Sequence, residues 1–345
     1  MITRREFFRR SGAGLASVGL GSLLGGSHGW IGDALAQGKE AAQGEAGTLI
    51  TILHTNDVHS RIDPFPEDGS RNAGKGGAAR RATLIRAIRA ENPNTLVLDA
   101  GDAFQGTPYF NLFKGEVDFR VMSALGYDAL NIGNHDFDGG LEGLANAAQF
   151  ANFEILNANY DFSNTVLRER VKPCIVRELS GVRVGIFGIG VGLEGLVSPK
   201  LRLRVGYEKP VAVARRMIER LRVEERCPVV ICLSHLGLKG YAGAPGDEEL
   251  AAAAPGIDLI VGGHSHTFMN EPSRVPHGER ETLIYQVGFA GLYLGRVDLR
   301  VTRNEVSEAR AFAISIDGSL AETDSLALAQ AFAQARRDRD LASCI

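Results

Sequence analysis

The chain has 345 residues, of which 44% are hydrophobic and 23% charged, with a formal net charge of −3. This balance excludes a disordered chain, a collagen-like repeat and a coiled coil, and it gives no basic surplus for a nucleic-acid polymer. Four cysteines are too few for a disulfide scaffold, while 42 glycines point to the tight turns and loop-borne sites of an α/β enzyme.

The chain opens MITRREFFRRSG, with Arg4 and Arg5 ahead of a weakly apolar run over 13–24. That run is shorter than the ~20 apolar residues a membrane span needs. Ala34-Leu35-Ala36 supplies an A-x-A cleavage site before Gln37. Residues 1–36 therefore read as a twin-arginine signal. The expected consequences are passage through the twin-arginine export machinery, a periplasmic or otherwise exported product, and no stable membrane anchor. A flexible leader is expected over 37–47.

From residue 48 strands and helices alternate. A strand at 48–54 precedes an amphipathic helix at 77–91 and a strand at 95–99. A helix near 116–126, a strand at 128–133, a helix near 139–151 and a strand at 153–158 follow. After a strand at 182–190, a helix begins at Pro210, a residue suited to a first turn, and runs to about Glu225. Strands at 228–234 and 257–263 flank a short helix near 247–253. Strands at 283–288, 295–301 and 309–316 close the series, and a last helix is expected over 324–341. Such alternation implies an α/β fold with buried, partly parallel strands, here a catalytic domain over 48–318 and a helix and tail over 319–345. Export would allow Cys174, Cys227, Cys232 and Cys344 to oxidise. Cys227 and Cys232, five apart on one strand, are expected on opposite faces and unpaired. His54 reads as a hydrogen-bonded core residue, Arg80 and Arg81 as a solvated helix face, and Phe104 and Phe137 as packing.

The chemistry lies just beyond the strands. Asp57-x-His59 follows the first, Asp102 the strand at 95–99, and Asn134-His135-Asp136-Phe137-Asp138 the strand at 128–133. Ser234-His235 ends one strand and Gly263-His264-Ser265-His266 another. In open α/β sheets, ligands bind beyond the carboxyl ends of the strands, so these segments can meet at one rim. Carboxylates, an asparagine carbonyl and imidazoles, without thiolates, suit Mn²⁺, Zn²⁺ or Fe²⁺. Asp57, His59, Asp102, Asn134, His235, His264 and His266 are too many for one ion. With Asp102 as a shared carboxylate they give two ions four protein ligands each. Two ions ~3.5–4 Å apart can hold a bridging hydroxide and clamp a phosphoryl group for in-line attack.

The segments ILHTNDVHS (52–60), LDAGDAFQGTP (98–108), NIGNHDFDGG (131–140), SHLG (234–237) and VGGHSHTF (261–268) resemble the 5′-nucleotidase branch of the calcineurin-like metallophosphoesterases. The resemblance covers nearly all of 48–316. It implies a four-layer α/β/β/α sandwich with the dimetal site at one end of two sheets. It places Asp57, His59, Asp102 and His266 on one ion, and Asp102, Asn134, His235 and His264 on the other. It makes His135 and Asp138 the catalytic dyad, with Asn134 and His135 reaching the substrate, and gives Asp136 no direct role.

The function this implies is hydrolysis of phosphate monoesters, nucleotides foremost, by attack of the bridging hydroxide, with His135 oriented by Asp138. Members of this branch carry a second, C-terminal domain that holds the nucleoside. That domain is expected to be absent here, so a small phosphorylated substrate would be recognised otherwise or with a separate substrate-specificity subunit. Two other readings are a cyclic-nucleotide phosphodiesterase or thiosulfohydrolase-like sulfur-ester hydrolase on the same site, and a metal- or phosphate-binding protein without turnover. The His135–Asp138 pair argues against the last, since pure binding needs no dyad.

Overall fold

The computed structural model describes residues 47–240 and 243–322. The expected export signal, the expected leader up to residue 46, the helix expected over 324–341 and Cys344 lie outside the described residues. The first strand, β1 (Thr48–Thr55), leads to α1 (Ala78–Glu91), β2 (Thr95–Asp99), α2 (Pro108–Phe113), α3 (Glu116–Leu125) and β3 (Ala129–Asn131). Next come α4 (Gly140–Ala147), β4 (Glu154–Leu156), β5 (Tyr160–Asp161), β6 (Val171–Lys172), β7 (Cys174–Leu179) and β8 (Val182–Gly190). The chain continues through α5 (Pro199–Arg202), β9 (Gly206–Tyr207), α6 (Pro210–Glu219), β10 (Val229–His235), α7 (Asp247–Ala253) and β11 (Leu259–Gly262). It closes with β12 (Ser273–His277), β13 (Arg280–Tyr285), β14 (Tyr293–Thr302) and β15 (Glu305–Ser315).

Two mixed sheets result. One has the order β15-β14-β1-β2-β3-β4-β6 and the other β12-β13-β11-β10-β8-β7. The runs β1-β2-β3-β4 and β8-β10-β11-β13 are parallel, so their carboxyl ends gather on one side of each sheet. Strand alternation sorts the side chains into three cores. Ile50 and Ile52 of β1, Leu96 and Leu98 of β2, Val229, Ile231 and Leu233 of β10, and Val261 of β11 fill the space between the sheets. Leu53 and Val97 face the other way, onto α1, α3 and α4. Val230 and Ile260 face α6 and α7. Three apolar interfaces require four layers, and the expected α/β/β/α sandwich is what forms.

At the site end the sheets are also joined by polar bonds. Asn131 Nδ2 donates to the Ile189 carbonyl at 2.8 Å and its Oδ1 accepts from Asn157 Nδ2 at 3.2 Å. Asn159 exchanges two bonds with the Gly190 backbone, at 2.9 and 2.7 Å. Among the described residues, no helix is long and apolar enough to cross a membrane.

Three side-chain readings change. Cys227 precedes β10 rather than lying on it, and it shares one helix-side core with Cys232; both, with Cys174, are free thiols. Arg81 is buried, with Nε and Nη1 unpartnered, while Arg80 pairs with Glu322 at 3.0 Å. His54 is fully buried between the sheets, but neither ring nitrogen has a hydrogen-bond partner, and burial lowers its pKa to about 3. It is a neutral core histidine that packs edge-on against Tyr285.

Candidate dimetal site

Each of the seven predicted ligands sits at, or within four residues of, a parallel strand's carboxyl end. Asp57 and His59 follow β1, Asp102 follows β2, Asn134 follows β3, His235 ends β10, and His264 and His266 follow β11. Five of them, Asp57, His59, Asp102, His264 and His266, hold left-handed backbone (φ 50–70°). That conformation strains a residue with a Cβ and is kept only where the surroundings over-determine it. Gly133 lets the β2 and β3 loops meet: a Cβ there would lie 2.2 Å from Asp102 Oδ1.

Two clusters of candidate ligand atoms form, Asp57–His59–His266 and Asp102–His235–His264, with the atoms of each within 4.8 Å of one another. Their orientations fit cations. His235 Nδ1 donates to the Ala100 carbonyl at 2.8 Å, which turns its Nε2 lone pair toward Asp102. Nε2 lies 3.0 Å from Asp102 Oδ2, yet is not aligned for a hydrogen bond. His59 repeats the arrangement: Nδ1 donates to the Phe104 carbonyl at 3.1 Å, and Nε2 faces His266 Nε2 at 3.0 Å. His266 Nε2 is 3.4 Å from Asp57 Oδ1. Asn134 Oδ1 is buried without a partner. The carboxylates are aimed by backbone: Asp57 accepts the His264 N–H at 3.0 Å, and Asp102 Oδ1 the His135 N–H at 2.7 Å. The six clustered residues thus present converging ligand atoms, whose lone pairs repel unless positive charge lies between them.

The titration behaviour agrees. Burial works to lower the His235 pKa, but Asp102 and Asp57 outweigh it and raise it to about 10. Burial likewise opposes an ionised Asp102, yet His235, His59 and His135 hold it well below the usual carboxylate range. A proton at His235 does there what a cation would. His59 and His264 are lowered, first by burial, and His266 is raised, first by its bond to Asp57.

His135 opens a short 3₁₀ turn directly after Asn134. Its Nδ1 lies 2.9 Å from Asp138 Oδ2, and its ring stands edge-on to that of His59 with centroids 5.4 Å apart. Phe104 and Phe137 are buried packing residues. Asp136, to which the sequence reading gave no direct role, is the hub of the two loops. Its carboxylate accepts the backbone N–H of Asp102 (3.1 Å), Phe104 (3.1 Å) and Gly133 (2.8 Å). Its place between two site residues of one turn was the available signal.

A site of this kind, on this sandwich, defines a class. Residues 50–268 match the calcineurin-like phosphoesterase family, and the chain belongs to it. Among curated proteins it is similar to the snake venom 5′-nucleotidase of Gloydius brevicauda, 35% identical over 272 residues, which is 72% of this chain and 45% of that one. Among solved structures it is similar to the 5′-nucleotidase precursor of Thermus thermophilus, with 30% identity, a TM-score of 0.74, and coverage of 85% of this chain and 59% of that one. It is also similar to the calcineurin-like phosphoesterase YfkN of Bacillus subtilis, with 26% identity, a TM-score of 0.68, and coverage of 85% and 98%. The chain spans about half the length of the curated relatives it matches.

Proposed function

We propose that this chain is an exported dimetal phosphoesterase that hydrolyses phosphate monoesters, nucleotides foremost. The observation that carries the reading is the pair of converging ligand clusters with the His135–Asp138 couple beside them. Asp57, His59, Asp102 and His266 would hold one ion, and Asp102, Asn134, His235 and His264 the other. Two bound divalent ions, manganese, zinc or iron by the oxygen and nitrogen donor set, would neutralise phosphoryl charge and acidify a water. Asp102 can serve both because its carboxylate has two oxygens. The Ala100 and Phe104 carbonyls keep the Nε2 atoms of His235 and His59 as the ligating ones. Asp138 accepts a hydrogen bond from Nδ1–H of His135 and so orients the ring, whose protonated Nε2–H can stabilise the transferring phosphoryl or pass its proton to the leaving oxygen. Asn134 can reach the same phosphate. The likeness to 5′-nucleotidases supports nucleotides as substrates. The twin-arginine pattern over 1–36 supports export.

The test is phosphate release by the purified chain, after chelation and Mn²⁺ add-back, from AMP, a sugar phosphate, p-nitrophenyl phosphate and its bis ester. Metal-dependent monoester hydrolysis with AMP preferred is the expected result. No turnover on any of them with two ions bound would overturn the reading. His135→Ala should lower kcat by ~10²–10⁴-fold while both ions stay bound. Loss of metal in that variant would move His135 from catalysis to ligation.

A further inference from the structure

The segment after β11 runs antiparallel to the segment after β13. Phe268 bridges Val287, and Gly288 donates its N–H to the Thr267 carbonyl at 2.9 Å. This pairing sets Phe289 across from His266, and the two rings stack, with centroids 5.2 Å apart and planes 12° from parallel. Phe268, two residues beyond His266, packs on Tyr293 with ring centroids 4.3 Å apart. Phe289 is 37% and Phe268 41% exposed, which is unusual for phenylalanine and leaves ring surface open beside the ligand clusters. The segment is tied down on both sides of Phe289. Asn56 Nδ2 donates to the Gly288 carbonyl at 2.6 Å, and Asn56 Oδ1 accepts from Val287 N–H at 3.1 Å. Ala290 N–H donates to the Asp57 carbonyl at 2.7 Å. The backbone that presents Phe289 is thus bonded to the loop that presents Asp57.

We infer that Phe289, with Phe268 beside it, is the platform on which the planar aromatic part of the substrate stacks while its phosphate reaches the ligand clusters. The inference rests on the monoester reading and narrows it to monoesters whose leaving group carries an aromatic ring, a nucleobase or an aryl group. Stacking suits this role because every such ring has an apolar face, and a stacked base contributes about 5- to 150-fold in affinity. The ligand clusters handle the phosphate alike in all monoesters, so the platform shows itself as a preference among them.

The test compares kcat/KM for AMP and for phenyl phosphate with that for ribose 5-phosphate, in the wild type, Phe289→Ala and Phe289→Trp. In Phe289→Ala the aromatic-to-ribose ratio should fall at least about fivefold, through KM, and Phe289→Trp should keep it. A fall confined to AMP assigns the nucleobase; a fall for both assigns any aryl ring. An unchanged ratio overturns the platform. So does an equal loss on all substrates that tracks lost metal, which would make Phe289 a prop for His266. If the wild type hydrolyses no monoester, the monoester reading falls by itself. Equilibrium dialysis of AMP against ribose 5-phosphate with the manganese-loaded proteins then decides the platform by the same ratio.

Discussion

Asp136 shows how a residue outside both ligand clusters can govern them. Its carboxylate gathers three backbone N–H groups from the loops that carry Asp102 and Asn134. Asp136→Asn replaces an acceptor with a donor and should weaken metal binding about 10–100-fold, as losses behind a ligand do, while the fold survives. Isothermal titration with Mn²⁺ measures this, and an unchanged affinity would remove Asp136 from the site. Asp118 makes a second case. It borders a small cavity with Arg81 and Asp99, its Oδ2 lacks a partner, and burial raises its pKa to about 7. The unfolded value is near 3.9, so the fold favours the protonated form. That contribution is complete below about pH 4 and is lost as pH rises toward 7. Asp118→Asn should therefore gain on the wild type by of order 2–4 kcal/mol between pH 4 and 8, read from urea midpoints. Equal differences at the two pH values would refute this. The candidate ligand set was legible because acids, an asparagine and histidines stood directly after apolar runs. Asp136 was not, because a carboxylate's value to backbone N–H groups depends on loops that have yet to fold around it. The burial of Arg81 is legible in the sequence, since it lies in helical step with Ala78, Ile85 and Ile88, all buried.

Most elements were readable, including the short β3 and β4, while α2, β7 and β12 were not expected. The expected strand at 182–190 coincides with β8, and the helix at 247–253 with α7. Strands β5, β6 and β9 have two residues each, too few for any alternation to appear. The helix expected from Pro210 to about Glu225 ends α6 at Glu219 and continues as a π turn over Arg220–Glu224. The polar ties between the two sheets were hidden, because they come from Asn131, Asn157 and Asn159, residues that usually mark turns. Here Asn131 is fully buried, and a Cβ at Gly188 would lie 2.4 Å from its Oδ1. Asn131→Ala would leave the Ile189 carbonyl and the Asn157 amide unpaired in the interior. The expected cost is about 2–4 kcal/mol in a urea titration, from two unmet groups. Metal content should fall too, since β3 leads directly into Asn134. A cost under about 1 kcal/mol would mean that the apolar core alone holds the sheets together.

At the scale of the molecule, two sheets closed by three apolar cores force carboxylates and imidazoles together at one rim. The unfolded chain has no such convergence, so ions that bind there stabilise the folded state by mass action, about 2.7 kcal/mol at a hundredfold excess over Kd. For a domain of this size, that is of the order of 5–10 °C in Tm. Chelation should lower the midpoint by such an amount and Mn²⁺ should restore it. His235, held protonated up to about 10 by its carboxylate neighbours, must release its proton to act as a ligand. Binding should therefore expel protons and tighten as pH rises, which calorimetry in two buffers of different ionisation enthalpy would show. Asp102→Asn removes the carboxylate proposed to serve both ions and should abolish most of the Mn²⁺-dependent rise in Tm. Asp57→Asn, which touches one cluster, should abolish less. Midpoints that ignore both chelator and Mn²⁺ would mean that the lone pairs at this rim are satisfied by protons alone, and the dimetal assignment would fall with them.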